Sequence, residues 1–130
     1  MDDIRRDLTK AEEQVMQILW KLDKGFVHDL LVHFPEPKPA YNTVSTIVRI
    51  LERKGFVSHK AIGKSHRYYP LISKTEYARY TMKQLLHGYF SNSYKQLVSF
   101  FSDETDLTLK EMEEIRHLIE QQIDKKKDQQ

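Results

Sequence analysis

Over residues 41–72 the apolar period of this chain changes from that of a helix to that of a strand across a single glycine, and no other stretch limits the fold as tightly. In residues 41–54, Val44, Ile47, Val48 and Leu51 recur at i, i+3, i+4 and i+7, the spacing of a buried helical face. The opposite face carries Asn42, Ser45, Thr46, Arg49 and Arg53, short hydrogen-bonding side chains and guanidinium groups of the kind that read base edges and grip phosphates. Gly55 stands where a helix commonly ends in a left-handed residue, and Lys54 where a cation favours the negative end of the helix dipole. From Phe56 the period is two: residues 56–62 and 66–72, rich in Val, Ile and Tyr, flank Gly63, Lys64 and Ser65 and predict a hairpin. Its arms and tip hold His59, Lys60, Lys64, His66 and Arg67 with Tyr68 and Tyr69 interleaved. That composition suits a wing lying along a phosphate backbone, and a solvated basic hairpin is the plainer alternative.

The distribution of charge weighs on that choice. Residues 40–72 contain six Lys or Arg and one acid, Glu52, for a local balance of +5, whereas residues 1–39 sum to −2 and residues 73–130 to −1. Positive charge gathered on one supersecondary unit is the electrostatic footprint of nucleic-acid binding, while scattered charge would mean only solubility. With no Cys, disulfides, thiolate metal sites and thiol redox switching are excluded together. His28 and His33 stand five apart, not at the i, i+4 spacing of a helical metal pair, so neither a metal nor a cofactor is expected. No apolar run approaches the ~18 residues needed to span a bilayer, and the N-terminus lacks a signal-peptide core, so a cytoplasmic location is expected.

Before the central stretch, Thr9 with Glu12 forms a capping box that opens a helix through about residue 22. Ala11, Val15, Ile18, Leu19 and Leu22 line its buried face, with Met16 and Trp20 widening it. Lys24 and Gly25 break it, and Phe26 and Val27 are expected to form a short strand that pairs with the hairpin. A second helix over about residues 28–34 buries Leu30, Leu31 and Phe34. Pro35, Pro37 and Pro39 then enforce a helix-free loop in which Lys38 is placed to meet a phosphate. Helix, helix, proline loop, helix and basic hairpin is the winged helix-turn-helix plan, in which the third helix enters the major groove.

After the hairpin, Ser73 with Glu76 and Thr108 with Glu111 are two further capping boxes. They predict a helix from about residue 74 to residues 88–90, a short helix holding Tyr94, Leu97, Val98, Phe100 and Phe101, and a last helix whose residues 125–127 fray. The last helix stripes Leu109, Met112, Ile115, Leu118, Ile119 and Ile123 along one side. The fold class is therefore mainly α with a small β-sheet: a winged-helix DNA-binding domain over residues 1–72 and a helical dimerisation domain over residues 73–130. Three helices in so short a segment cannot readily bury these faces alone, so a symmetric partner is expected across Leu97, Val98, Phe101, Leu109, Met112, Ile115, Leu118 and Ile119. An enzyme is disfavoured by the absence of a cysteine nucleophile and of a glycine-rich phosphate loop, and by carboxylates spaced for capping and i, i+4 pairing. A protein-interaction module on the same winged-helix frame is the alternative function, and salt-dependent retention on duplex DNA separates the two.

Several motifs together resemble the BlaI/MecI/CopY repressors, the penicillinase-repressor family of bacterial winged-helix regulators. They are Leu8, Thr9, Ala11 and Glu12 before Val15, Met16, Leu19 and Trp20; Ala40, Tyr41, Thr43, Val44 and Thr46; and Arg53, Lys54, Gly55, Phe56 and Val57 leading to Tyr68, Tyr69, Pro70 and Leu71. Asp106, Leu107 and Thr108, followed by Glu113, Glu114 and Ile115, extend the likeness to the last helix. The resemblance implies a homodimeric transcriptional repressor on inverted-repeat operators, often with TACA and TGTA cores, controlling resistance or stress genes, antibiotic resistance among them. It implies Tyr41, Asn42, Thr43, Ser45, Thr46 and Arg49 as reading residues, and Lys60, Lys64, Ser65 and Arg67 as wing contacts. The copper-responsive branch carries a C-terminal cysteine motif that this chain lacks. In the β-lactam branch a membrane sensor triggers proteolysis at an Asn-Phe bond; the aligned pair here is Phe100 and Phe101, with the Phe kept and the Asn replaced.

Overall fold

A computed structural model describes residues 7–130, so most of the polar lead-in over residues 1–8 lies outside the described residues. The elements run α1 (Lys10–Leu22), α2 (Val27–Val32), α3 (Tyr41–Arg53), β1 (Val57–Ile62), β2 (Ser65–Pro70), α4 (Lys74–Tyr89), α5 (Tyr94–Glu104) and α6 (Leu109–Asp128). Two compact units part between Lys83 and Gln84. Among the described residues no helix is long and apolar enough to cross a membrane.

The first unit is a winged helix. Thr9 accepts the Glu12 amide through its hydroxyl at 3.1 Å while the Glu12 carboxylate accepts the Thr9 amide at 3.0 Å, satisfying two free donors at the start of α1. Val15, Met16 and Leu19 of α1, Leu30 of α2, and Val44, Val48 and Leu51 of α3 are completely buried in one core, which Phe56 and Val57 extend toward the ribbon. Each such side chain contributes roughly 1.5–3 kcal/mol on burial. α3 ends in a Schellman motif: Gly55 takes φ +85° and donates to the Glu52 carbonyl, and the Phe56 amide donates to that of Leu51 at 2.9 Å. The chain thus reverses into β1, which pairs antiparallel with β2 from Val57 opposite Pro70 to Ile62 opposite Ser65. The turn is only Gly63 and Lys64, with Gly63 at φ +61°, the left-handed first position of a two-residue hairpin loop.

The base of the ribbon is held beside α1. Gly25 exchanges both backbone hydrogen bonds with Tyr68, at 2.9 and 2.8 Å, and the Trp20 indole donates to the Ile72 carbonyl at 2.8 Å. The first turns of α4 join the same unit, because Tyr77 packs on the core against Phe56 and Trp20 and its hydroxyl accepts the Leu8 amide.

Four local expectations are corrected. The strand expected at Phe26 and Val27 is a single bridge at Gly25; Phe26 caps α2, its amide held by the Asp29 carboxylate at 2.9 Å, and Val27 is already helical. Ala11 is exposed beside the proline loop instead of facing the core. Lys38 donates to the carbonyls of Leu31, Val32 and Phe34, closing the end of α2, a stronger local claim on the ammonium than a distant phosphate. Residues 125–127 stay helical, since three lysines in the last turn suit the negative end of the α6 dipole.

In the second unit, Ser91 and Asn92 take φ +50° and +59° and turn the chain between α4 and α5, where the Ser93 hydroxyl caps the Gln96 amide. Thr108 and Glu111 complete the expected box at the start of α6. Tyr94, Val98 and Phe100 of α5, and Leu109, Met112, Ile115, Leu118, Ile119 and Ile123 of α6, are all exposed.

An ion pair between buried Glu12 and half-buried Lys54 gives the winged helix a pH signature. Glu12 is buried and its carboxylate meets the Lys54 ammonium at 2.6 Å, joining the start of α1 to the end of α3. Burial alone would raise the Glu12 carboxyl, but the hydrogen bond and charge of Lys54 and the Thr9 amide outweigh it and hold the group below its ordinary value of 4.5. A depressed folded value stabilises the fold above the unfolded value, and that stabilisation is lost as pH falls from 4.5 through the folded value. We expect Lys54→Met to cost about 1–3 kcal/mol at neutral pH, because it strips a buried carboxylate of its cation. Glu12→Gln should flatten the acid limb of stability. Urea unfolding followed through the fluorescence of Trp20, the single tryptophan, checks both; a Lys54→Met variant as stable as the parent contradicts the account.

Candidate nucleic-acid interface

The orientation of α3 follows from its buried face. With Val44, Val48 and Leu51 fixed in the core, helical geometry turns Asn42, Thr46, Arg49 and Arg53 to the opposite side, and all four are exposed. Tyr41 and Ser45 lie on the flank toward the ribbon, while Thr43 lies toward the proline loop, beside Pro37 and Pro39. The Arg49 guanidinium donates to the Ser45 hydroxyl at 3.1 Å and to the Thr46 hydroxyl at 3.4 Å. These bonds lay the side chain along the helix and leave further N–H donors of its five for an incoming acceptor.

The ribbon sorts its side chains by face. Val57, His59 and Ala61 pair with Pro70, Tyr68 and His66, and this face turns toward α3: the His59 Nδ1 lies 2.8 Å from the Glu52 carboxylate. Lys60 and Arg67 pair directly on the other face, while Lys64 and Ser65 stand at the tip. Between α3, the start of α2 and the ribbon runs a groove of about 240 Å³ lined by His28, Tyr41, Ser45, Arg49, Lys64, Ser65, His66 and Tyr68, with Phe26 and Val27 at its floor end. Among the described residues no carboxylate lines it. Burial, with the Glu52 charge adding to it, lifts the Tyr68 phenol above its ordinary value of 10.0 and keeps it a neutral hydroxyl.

The structure thus gathers Tyr41, Ser45, Arg49, Lys64 and Ser65 around one groove, places Asn42, Thr46 and Arg53 along the adjoining outer face of α3, and sets Lys60 and Arg67 on the far face of the ribbon. Sequence reasoning weighed His28 only as a metal ligand with His33 and gave it no place at the interface. Its ring packs on Tyr41 with centroids 4.8 Å apart, a contact made only when the proline loop brings the start of α2 beside the start of α3. No periodic signal marks it, because an exposed residue at a helix start has no spacing rule to obey. Among the dimerisation candidates, Leu97 and Phe101 are half-buried and the others are exposed. Phe100 and Phe101 lie inside α5, and the Phe100 ring meets that of Phe90 edge-on at 5.4 Å.

Comparison with known proteins places this geometry in a family. Residues 8–121 match the family model described as penicillinase repressor. The chain is 26% identical over 120 residues to the methicillin resistance regulatory protein MecI of Staphylococcus aureus strain N315, covering 92% of this chain and 98% of that protein. It is 21% identical over 122 residues to the penicillinase repressor of Bacillus licheniformis, covering 93% and 95% respectively. A crystal structure described as a possible transcriptional regulator for arsenical resistance shares the fold at a TM-score of 0.52, with 21% identity over 82% of this chain and 99% of that one. These relatives carry the names of repressors and regulators, not of enzymes. With a family model matched along nearly its whole length, the chain belongs to the penicillinase repressor family.

Proposed function

We propose that the protein is a transcriptional repressor that binds an inverted-repeat DNA operator as a homodimer. The observation that carries this reading is the groove and outer face of α3, where Arg49 and the hydroxyls of Tyr41, Ser45 and Thr46 are held by a buried core, Lys64 and Ser65 join them from the hairpin tip, and no carboxylate among the described residues lines the groove. On this reading Asn42, Thr46 and Arg49 meet base edges, and Lys60, Lys64, Arg67 and Arg53 meet phosphates. The names of the relatives support a role in controlling resistance genes.

The homodimer rests on the second unit. An α6 stripe with Leu109 73% exposed and Leu118 54% exposed is an apolar surface that water does not favour, and a second copy of the same stripe is a self-complementary cover for it. Relief of repression by proteolysis between Phe100 and Phe101, driven by a membrane sensor system, belongs to the same proposal. Because both residues are helical, a protease would act only after α5 opens locally.

Two experiments test the proposal. In competition binding, Arg49→Ala should lower affinity for the selected operator by about 1–3 kcal/mol and leave affinity for a scrambled duplex nearly unchanged. The Lys64→Ala, Arg67→Ala double variant should instead weaken both duplexes and reduce the slope of log affinity against log salt by about one unit for each phosphate no longer neutralised. A chain that mixed-sequence duplex fails to retain at low salt is an interaction module and not a repressor.

The dimer has its own readout. Leu118→Asp with Ile119→Asp changes side chains that are exposed within one chain, so folding should survive while sedimentation shifts from dimer to monomer. Operator affinity should fall on the order of 10²-fold as the second reading head loses its effective concentration. A fragment ending at Lys83, which retains Tyr77 on the core, should behave as the same weak monomer; a monomeric parent chain at micromolar concentration contradicts the dimer.

A further inference from the structure

Two imidazoles, from different elements, line the groove beside the permanent cations, and the ribbon positions one of them. The His66 ring stacks on His59 with centroids 4.0 Å apart and planes within 10°, and His59 is in turn anchored by the Glu52 carboxylate at 2.8 Å. His28, across the groove, is packed on Tyr41 at 4.8 Å. The charged and titratable groups that face His66 are Lys64 from the turn, Arg49 and Tyr41 from α3, His28 from α2, and His59 and Tyr68 on its own ribbon face. Two acids come close to this set and, among the described residues, neither lines the groove: the Glu52 carboxylate is engaged by His59, and the Asp29 carboxylate, next to His28 in α2, accepts the Phe26 amide at 2.9 Å.

We propose that this groove seats a backbone phosphate of duplex DNA and that His28 and His66 close on it as imidazolium, so that DNA binding takes up protons. The inference rests on the repressor reading above and adds a pH dependence to it. A phosphodiester between Arg49 and Lys64 places its anionic oxygens among donors only, and an imidazole donates from both ring nitrogens only when protonated. Imidazole ordinarily changes charge between about pH 5 and 8, and an adjacent anion favours the charged form. The neutral ring leaves the phosphate one charge-assisted hydrogen bond fewer. Linkage therefore fixes the sign: affinity rises as pH falls. His59 is a positioning residue, since it touches no phosphate and instead sets the plane of the His66 ring.

The test uses the full chain and a mixed-sequence duplex of about 30 base pairs at constant low ionic strength, because phosphate contacts form on any sequence. Between about pH 7.5 and 6 the parent should bind roughly three- to tenfold tighter. His66→Phe, which keeps the ring stack on His59, should lose about half of that dependence on a logarithmic scale, and adding His28→Gln should reduce it below about twofold. His33→Gln, whose ring lies on the Asp29 carbonyl outside the groove, should retain the full dependence. Helical circular dichroism confirms folding, and His66→Gln stands in if His66→Phe unfolds. A parent whose affinity is flat or rises with pH overturns the inference and leaves the repressor reading intact, as does a folded double variant that keeps the dependence. A parent that binds no duplex at any pH overturns both. Inorganic phosphate at matched ionic strength should not displace the duplex; displacement near about 1 mM would make the groove a free-anion site and overturn its assignment to the DNA backbone.

Discussion

The rotation of one helix about its own axis governs the interface, and burial sets that rotation. Val44, Val48 and Leu51 have no solvent exposure, and together they are worth several kcal/mol against the α1 and α2 core. A helix turned by one residue, about 100°, would bury polar side chains and expose this stripe. Arg49 and Thr46 are thus held outward by residues that never meet DNA. The Glu12 and Lys54 pair fastens the end of the same helix to the start of α1, and the Schellman turn at Gly55 launches the ribbon from it in a fixed direction.

The ribbon works by a comparable division of labour. Its inner face spends Val57 and Tyr68 on the core and ties Tyr68 to Gly25, which leaves the outer half of the hairpin free to carry charge. Beyond that anchor Lys60 and the half-buried Arg67 on one side and the exposed His66 on the other are presented by the same two strands. A phosphate backbone passing the tip would find Lys60 and Arg67 on one face, and Lys64 and Arg49 on the side of the groove. Electrostatics of this kind strengthens binding without choosing sequence, and on the proposed reading that choice falls to the short side chains of α3.

Much of this was legible in the chain because the signals are local. Three capping boxes, at Thr9, Ser73 and Thr108, place three helix starts, and each closes through partners only three residues apart. The change of period across Gly55 gives α3 and the ribbon, for the same reason. What escaped is competition for short-range partners and the tertiary path of the chain. Gly25, not Phe26 and Val27, meets the ribbon, because the Asp29 carboxylate recruits Phe26 as a helix cap first. Lys38 reads as a free cation until three carbonyls at the end of α2 are seen to converge on it. The packing of His28 on Tyr41 and the opposite faces of Lys60 and His66 depend on loop path and strand register, which composition does not encode. The second unit shows the converse: its apolar stripe was plain in sequence, and the fold leaves it exposed.

The central claim is that DNA is met by the polar side of α3 and the adjoining hairpin tip. Amide chemical shifts of the isotope-labelled full chain, recorded during titration with duplex DNA at low salt, test it most directly. The account predicts the largest changes at Asn42, Ser45, Thr46 and Arg49 and at Gly63, Lys64, Ser65 and His66, with the amides of Leu118 and Ile119 nearly unmoved. Changes centred on α6, or none near α3 at saturating duplex, would contradict it.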